Sequence, residues 1–351
     1  MNMKHFPFDV TFHPSWWHKH AGIDFSQRFF DDPEYRIEAD KAMRRCLFEK
    51  FGDFGLGEEN PQDRPLLGTD FLAAGYLHSE LMGCKIIYQS DNSPQVVCMD
   101  ADIEDVADVK APNLDESPVW ARTQKQIDWL LEKYGRVEPY VNLMGPQNVA
   151  LDMLGQEVFV AYYTDEDEIA HLLGEITDLT IEVGKRFKAL SDDISGGVTG
   201  ICRQVRPDCY LTSNCSVEMI SNELYEKFVL PLDQKMADEF GSFGIHHCGK
   251  TMEHVAEGYS KVKGLTFAEV GAGSDLAHVR SVFPTLPLNA RYSAVTLKND
   301  SREMIEANVK ALYTQGKGEE GNLSISCVGI DGDTPIENVR WFLEACSKYN
   351  A

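Results

Sequence analysis

The sequence predicts an α/β protein built as a (β/α)8 TIM barrel with an amino-terminal helical and aromatic extension. Short apolar runs alternate with amphipathic segments through the last third of the chain, a pattern typical of a parallel sheet. No Gly-x-Gly-x-x-Gly joins a strand to a helix, which argues against an open dinucleotide-binding sheet. The 351 residues suffice for one large barrel with insertions. The strands predicted here are 243–247, 265–269, 286–291 and 322–327, and the helices are 251–262, 275–282, 301–314 and 335–348.

The amino-terminal segment, residues 1–70, differs from the rest because it is rich in aromatic and turn residues. We expect it to pack as an extension on a catalytic barrel domain formed by residues 71–351. A helix is predicted from about Pro33 to Phe51, since apolar residues recur there on one face.

Three further elements are predicted between these regions. The runs Cys84–Tyr88 and Gln95–Cys98 flank turn residues, which predicts a hairpin. Apolar residues at helical spacing follow Thr164 and predict a long helix. A second helix, predicted over about 224–236, contains Pro231, at which we expect a kink.

Charge and composition exclude several kinds of partner. The formal net charge of -23 would repel nucleic acid and anionic membranes. No apolar run approaches the roughly 18 residues of a membrane span, and the first residues lack the apolar core of a signal peptide. We therefore expect a cytoplasmic protein that acts on a small molecule. The nine cysteines are expected to be reduced, because an odd number scattered over a large chain does not suggest a disulfide framework.

The most informative feature of the chain is the pair His246-x-Cys248, followed by Glu269 and Cys327 at the ends of later predicted strands. Residues at the carboxyl ends of barrel strands converge in space, and positions i and i+2 of a strand share a face. Imidazole, thiolate and carboxylate are common ligands of zinc. The pattern predicts a zinc site made of His246, Cys248, Cys327 and Glu269, with Glu269 as an exchangeable ligand or acid/base catalyst.

The same residues also allow an interpretation without a metal. Cys248 and Cys327 can be thiols of the barrel core, with His246 bonded to a neighbour. His247 lies on the opposite face of its strand and is expected in the wall rather than on the ion. A thiolate-rich zinc site can activate an incoming thiol or polarise the heteroatom of a methyl donor, and the pattern does not choose between them.

Several segments resemble the corrinoid (cobalamin)-dependent zinc methyltransferase branch of the uroporphyrinogen decarboxylase superfamily. The resemblance covers roughly residues 70–348. The segments that carry it are Ile245–Gly249 with its His-x-Cys-Gly signature, Glu80–Cys84 followed by Asp91–Pro94, Gly145-Pro146, Ile220–Pro231, and Cys327–Gly329 with Thr334–Asn338.

The resemblance implies an enzyme that moves a methyl group between a small molecule and the corrinoid of a separate carrier protein. The small molecule would be a methoxylated or methylated compound, or a thiol. Demethylation of such a compound is slightly preferred over transfer to a thiol. Zinc would be held by His246, Cys248 and Cys327, with Glu269 as the carboxylate of an exchangeable position. The chain has no Asp-x-His-x-x-Gly motif of its own, which agrees with a separate corrinoid carrier.

The chain also departs from the pattern of this superfamily. It lacks the arginine-rich loop that neutralises porphyrinogen substrates, so porphyrinogen decarboxylation is not expected. Ser213–Ser216 replaces an acidic stretch, which indicates a diverged substrate pocket. Weaker candidates for substrate contact are Asp91, Asn214, Tyr292, Trp16 and Trp17, of which the two tryptophans can equally form a packing layer.

Two other classes of protein are also compatible with the sequence. A metal-free decarboxylase or lyase of the same superfamily would need basic residues for carboxylates, and Arg203, Arg206 and Arg291 are the candidates. A protein that only binds a ligand or corrinoid would not need thiolate-ligated zinc. A homo-oligomer is compatible with every one of these classes.

Overall fold

The fold is described from a computed structural model, which covers residues 6–106, 108–195 and 199–350. Its main element is a seven-stranded, wholly parallel sheet in which the first strand of the chain pairs with the last. The strands are β1 (Phe8–Phe12), β2 (Leu66–Gly68), β3 (Lys85–Gln89), β4 (Asn92–Val97), β5 (Glu138–Tyr140), β6 (Leu143–Met144), β7 (Tyr210–Ser213), β8 (Phe243–His246), β9 (Leu265–Val270), β10 (Leu288–Tyr292) and β11 (Leu323–Ile330).

The order of the seven-stranded sheet is β1-β11-β10-β9-β8-β7-β6, and β2 and β5 form a separate parallel pair. Two residues separate β5 from β6, so these two segments occupy one strand position. With β2 beside them, eight strand positions follow one another in chain order. A curled parallel sheet of this kind, with helices between its strands, is a TIM-barrel-like α/β fold, as predicted.

Helices connect nearly all of these strands. Short 3₁₀ turns and one π-helical turn, Tyr225–Val229, complete the described structure. The helices are α1 (Pro14–Ala21), α2 (Gln27–Asp31), α3 (Pro33–Phe51), α4 (Leu77–Leu81), α5 (Ile103–Val106), α6 (Pro118–Tyr134), α7 (Pro146–Leu154), α8 (Glu157–Thr164), α9 (Glu166–Lys188), α10 (Gly200–Val205), α11 (Asn222–Leu224), α12 (Leu230–Phe240), α13 (Ala256–Tyr259), α14 (Leu276–Val282), α15 (Ala294–Asn299), α16 (Arg302–Gln315) and α17 (Ile336–Ser347).

The predicted alternation of the last third matches the structure, apart from the additional helix α15 and two further differences. The helix expected at 251–262 is only α13, because the chain first follows the loop that leaves β8. The strand expected at 322–327 continues as β11 to Ile330, since β1 pairs with it beyond Cys327, where its pairing with β10 ends. The second difference changes the surroundings of Cys327, as described below.

The other predicted elements also find counterparts. The hairpin is β3–β4, the helix after Thr164 is α9, and α3 begins at Pro33, where the side chain of Asp32 caps its first turn. A kink was predicted at Pro231. The structure instead has a π-helical turn with one extra residue directly before α12, and Pro231 lies in the first turn of α12.

The amino-terminal segment is built around an aromatic cluster. Trp16 and Trp17 are fully buried, and Trp16 stacks on Phe12 with ring centroids 3.9 Å apart. Phe12 belongs to β1, which is itself a strand of the sheet, so this segment contributes to the barrel as well as covering it. A domain boundary at residue 70 stays a prediction. No helix of the described residues is long and apolar enough to cross a membrane.

Candidate metal centre

Three neighbouring strands bring three polar side chains to one level of the sheet. Ser213 of β7 pairs in register with His246 of β8, and His246 pairs with Glu269 of β9. All three are buried, and each lies near the carboxyl end of its strand. This is the end at which β/α barrels assemble their sites.

Two cysteines lie just beyond this row. Cys215 follows Ser213 by two residues, and Cys248 follows His246 by two residues, so the register of the strands carries both to the same height. Donor atoms of Cys215, His246 and Cys248 all lie within 4.8 Å of one another. The imidazole is buried, whereas the two cysteines are accessible to solvent. We call these three residues the donor cluster.

The sulfur atoms of Cys215 and Cys248 are in contact, and the structure pairs them as a disulfide. Their Cα atoms are 4.9 Å apart, a separation that a disulfide spans without backbone movement. The other seven cysteines are unpaired. The prediction of nine reduced thiols therefore does not hold for this pair. Cys215 and Cys248 can form a disulfide or, when reduced to thiolates, can bind the same ion.

Glu269 lies behind His246 rather than among the sulfur atoms. Its Oε2 is 2.5 Å from His246 Nδ1, and its Oε1 is 3.3 Å from Arg291 Nε. Burial favours the neutral acid, but His246 and Arg291 outweigh it, so the pKa of Glu269 is held below its usual value. The carboxylate is therefore ionised and is hydrogen-bonded to Nδ1 of His246. The other ring nitrogen, Nε2, is left available to bind an ion.

A carboxylate on the preceding loop anchors the chain after Cys248. Glu218 accepts hydrogen bonds from the backbone N–H groups of Lys250, at 2.6 Å, and Thr251, at 3.3 Å. Gly249 is required at this close approach, because a Cβ there would lie 2.6 Å from Glu218 Oε2. Since Glu218 belongs to the 3₁₀ turn that starts at Cys215, it ties the two cysteine-bearing loops together.

The structure does not bring Cys327 into the donor cluster. Ser324 and Ser326 face the barrel interior, where both contact Asn289, so the alternation of β11 turns Cys327 towards the helices. Cys327 is fully buried in the apolar core, and burial raises its pKa to about 12. Without an ion beside it, such a thiol is protonated at neutral pH. A role for Cys327 on zinc stays a prediction that this geometry does not favour.

The weaker substrate candidates are dispersed. Tyr292 is buried and bonds Asp300 at 3.1 Å, while Asp91 is exposed at the tip of the β3–β4 hairpin. Asn214 is buried beside the donor cluster, and Trp16 and Trp17 are enclosed in the aromatic cluster. Among these residues only Asn214 borders the candidate centre.

Each arginine proposed for a decarboxylase or lyase already has a carboxylate partner. Arg203 pairs with Asp70, and Arg206 is 3.1 Å from Asp208. Arg291 is paired with Glu269, as described above. These arginines are therefore engaged in neutralising carboxylates of the protein itself.

Cys215 was not among the residues predicted from the sequence, although a signal for it was present. Cys215 lies two residues past the end of β7, as Cys248 lies two residues past the end of β8. Consecutive barrel strands are neighbours, so equal offsets from two consecutive strand ends predict proximity. Cys327, three strands further along, lacked this relation.

Fold and donor cluster together define the class of this protein: a β/α barrel whose candidate centre lies at the carboxyl ends of its strands. The chain belongs to the uroporphyrinogen decarboxylase family, whose model matches residues 74–349. Its relatives place the chain in the branch of corrinoid-dependent methyltransferases within that family. The chain is therefore a methyltransferase.

Three curated relatives come from two Methanosarcina species. Two proteins named methylcobamide:CoM methyltransferase MtbA, from Methanosarcina mazei and Methanosarcina acetivorans, are 25% and 27% identical, each over 77% of this chain and 76% of their own length. A methylated-thiol–coenzyme M methyltransferase of Methanosarcina mazei is 25% identical over 78% of this chain and 70% of its own. None of these names favours decarboxylation as the activity of this chain.

Solved structures support the fold. A methyltransferase from Methanosarcina mazei aligns with a TM-score of 0.67 over 100% of this chain and 96% of its own, at 17% identity. A B12-independent methionine synthase from Shewanella sp. W3-18-1, in complex with selenomethionine, aligns with a TM-score of 0.51 over 99% of this chain and 97% of its own, at 10% identity. At such identities the likeness concerns the barrel alone.

Proposed function

We propose that this chain is a zinc-dependent methyltransferase that moves a methyl group between a small thiol compound and the corrinoid of a separate carrier protein. The observation that carries the proposal is the donor cluster, two cysteines and one histidine whose donor atoms lie within 4.8 Å of one another. The cluster lies at the carboxyl ends of neighbouring barrel strands, where such sites form.

The donor set fits zinc. Cys215 and Cys248 in their reduced form would supply two thiolates, and His246 would supply Nε2. Three protein ligands leave a fourth position of a tetrahedral zinc for a substrate, as in catalytic zinc sites. Zinc bound there would lower the pKa of a thiol substrate, so that the substrate is a thiolate at neutral pH.

The residues behind the donor cluster hold the imidazole in place. The carboxylate of Glu269 accepts a hydrogen bond from Nδ1–H of His246, which fixes both the tautomer and the orientation of the ring. Arg291 balances the charge of Glu269. We therefore assign Glu269 a supporting role, in place of the exchangeable ligand or acid/base catalyst that the sequence suggested.

Substrate and carrier are proposed from the relatives. Their names contain a methylcobamide, a methylated thiol and coenzyme M. These names favour the thiol direction over demethylation of a methoxylated compound, to which the sequence alone pointed slightly. A corrinoid on a separate protein agrees with the absence of an Asp-x-His-x-x-Gly motif from this chain.

The proposal is tested by the zinc content and activity of purified protein. We expect about one zinc per chain in the wild type, and its loss in Cys215→Ser and Cys248→Ser. Cys327→Ser is the matched control, because it removes a cysteine outside the donor cluster, and it should keep its zinc. Transfer from free methylcobalamin to a thiol, followed by the corrinoid absorption spectrum, should be lost together with the zinc.

Two outcomes would contradict the proposal. A wild type without zinc, prepared without chelator and under reducing conditions, would refute the metal centre. Loss of zinc in Cys327→Ser with retention in Cys215→Ser would refute the ligand set and restore the one predicted from the sequence.

A further inference from the structure

A second buried carboxylate, Asp233 of α12, lies behind the loop that carries Cys215. Asp233 is fully buried, and its Oδ2 accepts hydrogen bonds from Asn214 Nδ2 at 2.8 Å and from the hydroxyl of Tyr225 at 2.9 Å. None of the ion pairs among the described residues includes Asp233. The two hydrogen bonds lower the pKa of Asp233, but burial outweighs them and raises it to about 7. Burying this carboxyl group with only neutral partners is therefore unfavourable for folding.

The hydrogen bonds continue to the loop that carries Cys248. His247 Nε2 is 2.9 Å from the carbonyl oxygen of Thr251, so Nε2 must carry the proton and donate it. Its Nδ1 therefore accepts from the hydroxyl of Tyr259, also at 2.9 Å. Burial lowers the pKa of His247 to about 4, which agrees with a neutral ring. The ring of Tyr259 in turn packs edge to face against the ring of Tyr225, with centroids 4.9 Å apart.

Asp233, Tyr225, Asn214, Tyr259 and His247 thus form one buried network, joined by hydrogen bonds and by the contact between the two tyrosine rings. Asn214 directly precedes Cys215, and His247 directly precedes Cys248. The backbone N–H of Asn214 also donates to the carbonyl oxygen of His246 at 2.8 Å. The network therefore holds the residue before each cysteine of the donor cluster and ties both to α12.

The π-helical turn explains how two residues of one helical segment meet at this point. Tyr225 and Asp233 are eight residues apart, which in a regular α-helix separates their directions by about 80°. One extra residue in the turn Tyr225–Val229 reduces this difference to about 20°. Both side chains then point to the same place, behind the donor cluster.

We propose that Asp233 is a positioning residue of the metal centre. It sets the separation of Cys215 and Cys248 through Asn214 on the Cys215 side and through Tyr225, Tyr259 and His247 on the Cys248 side. The inference rests on the proposed zinc site. A buried carboxylate without a cation is less favourable than an apolar residue of similar volume, so its retention needs a reason other than stability. Holding both cysteine loops at a spacing that fits one ion supplies that reason.

The experiment measures zinc affinity in folded protein by competition with a chromophoric chelator. Asp233→Leu removes the acceptor and should weaken zinc binding at least tenfold, a typical effect of losing a residue behind a metal ligand. Asp233→Asn should bind zinc within about threefold of wild type, because its amide oxygen can accept both hydrogen bonds while its nitrogen replaces Oδ1, which has no partner. Asp152→Leu is the matched control: this partly buried carboxylate on α7 accepts a hydrogen bond from Ser79 and should leave zinc affinity unchanged.

The outcomes separate this inference from the function on which it rests. Equal zinc affinity in wild type and Asp233→Leu would leave the metal centre standing and refute the positioning role. Equal weakening in Asp233→Asn and Asp233→Leu would also refute it, since the hydrogen bonds would not be the cause. A wild type without zinc would refute the metal centre and this inference with it. If Asp233→Leu does not fold, Tyr259→Phe removes only the hydroxyl that bonds His247 and should weaken zinc binding in the same direction; unchanged affinity there would overturn the proposal.

Discussion

Cys215 and Cys248 occupy equivalent positions on two neighbouring strands. Each lies two residues beyond one member of the pair Ser213–His246, which β7 and β8 hold in register. Although 33 residues and a helical segment separate the two cysteines, their Cα atoms are 4.9 Å apart. The parallel pairing of β7 with β8 therefore builds the thiolate half of the candidate centre.

A first prediction concerns the contact between these cysteines. In metal-free protein, hydrogen peroxide should convert the two thiols to a disulfide and be reduced to water, with a loss of two titratable thiols per chain. Zinc added beforehand should slow this loss, because both sulfurs would be occupied as ligands. The measurement is a thiol titration in a Cys98→Ser background, since Cys98 is exposed and would react on its own.

The control for this oxidation is Cys327→Ser in the same background. It should still lose two thiols, whereas Cys215→Ser should not form the bond. Equal oxidation rates with and without zinc would contradict a shared site.

A second prediction concerns the carboxylate behind His246. Glu269→Gln keeps a hydrogen-bond acceptor but removes the charge that orients and polarises the imidazole, so zinc affinity should fall roughly 10- to 100-fold. Chelator competition measures the change. Glu175→Gln, which alters a carboxylate bound to the backbone of Ala111, should leave zinc affinity unchanged. Unaltered zinc binding in Glu269→Gln would show that the Glu269–His246 contact is structural only.

A third prediction concerns the pH dependence of stability. Asp70 is buried between Arg64 and Arg203; burial alone would raise its pKa, but the two arginines outweigh it and lower the value below 3.8. A lowered carboxyl pKa stabilises the folded state above the unfolded value, and this stabilisation is lost as the pH falls through the folded value. Asp70→Asn should therefore cost about 3–5 kcal/mol near pH 7, since it leaves the arginines without their shared partner.

The difference between Asp70→Asn and wild type should shrink as the pH is lowered below about 4, where the unfolded chain begins to protonate. Urea unfolding at a series of pH values measures it. Asp128→Asn, on the exposed face of α6, should show no such trend. A constant difference from pH 7 to pH 3 would rule out the electrostatic explanation.

A fourth prediction concerns the tryptophans of the amino-terminal segment. Trp16→Ala should lower the free energy of unfolding by about 3–5 kcal/mol, because a fully buried ring stacked on Phe12 is lost. Val160→Ala, at a half-exposed position, should change it by less than about 0.5 kcal/mol. Trp16→Phe should leave the KM for substrate unchanged; a raised KM at unchanged stability would instead indicate substrate contact.

Much of the fold could be read from the sequence, because strand and helix periodicities are local. The strands 243–247 and 265–269 were predicted to within one residue of β8 and β9. The same local pattern marked His246 and Cys248, since residues two positions apart in the chain need no tertiary information to be neighbours. The resemblance to the uroporphyrinogen decarboxylase family rested on motifs of this local kind.

The partners of that pair depended on tertiary structure. Cys327 was placed at a strand end, but pairing with β1 extends β11 to Ile330, and the alternation of β11 turns Cys327 towards the helices. Cys215 enters instead through the register of β7 with β8. Glu269 was identified as a site residue, yet only the pairing of β8 with β9 decides that it contacts Nδ1 of His246.

The amino-acid sequence by itself determined the alternation of strands and helices, the family and one pair of donor residues, because these follow from patterns within single elements. Only the tertiary structure decided which further cysteine joins that pair and which carboxylates support it. Those contacts link residues on different strands and helices, and the register and strand length that create them are set by hydrogen bonds between elements rather than within them.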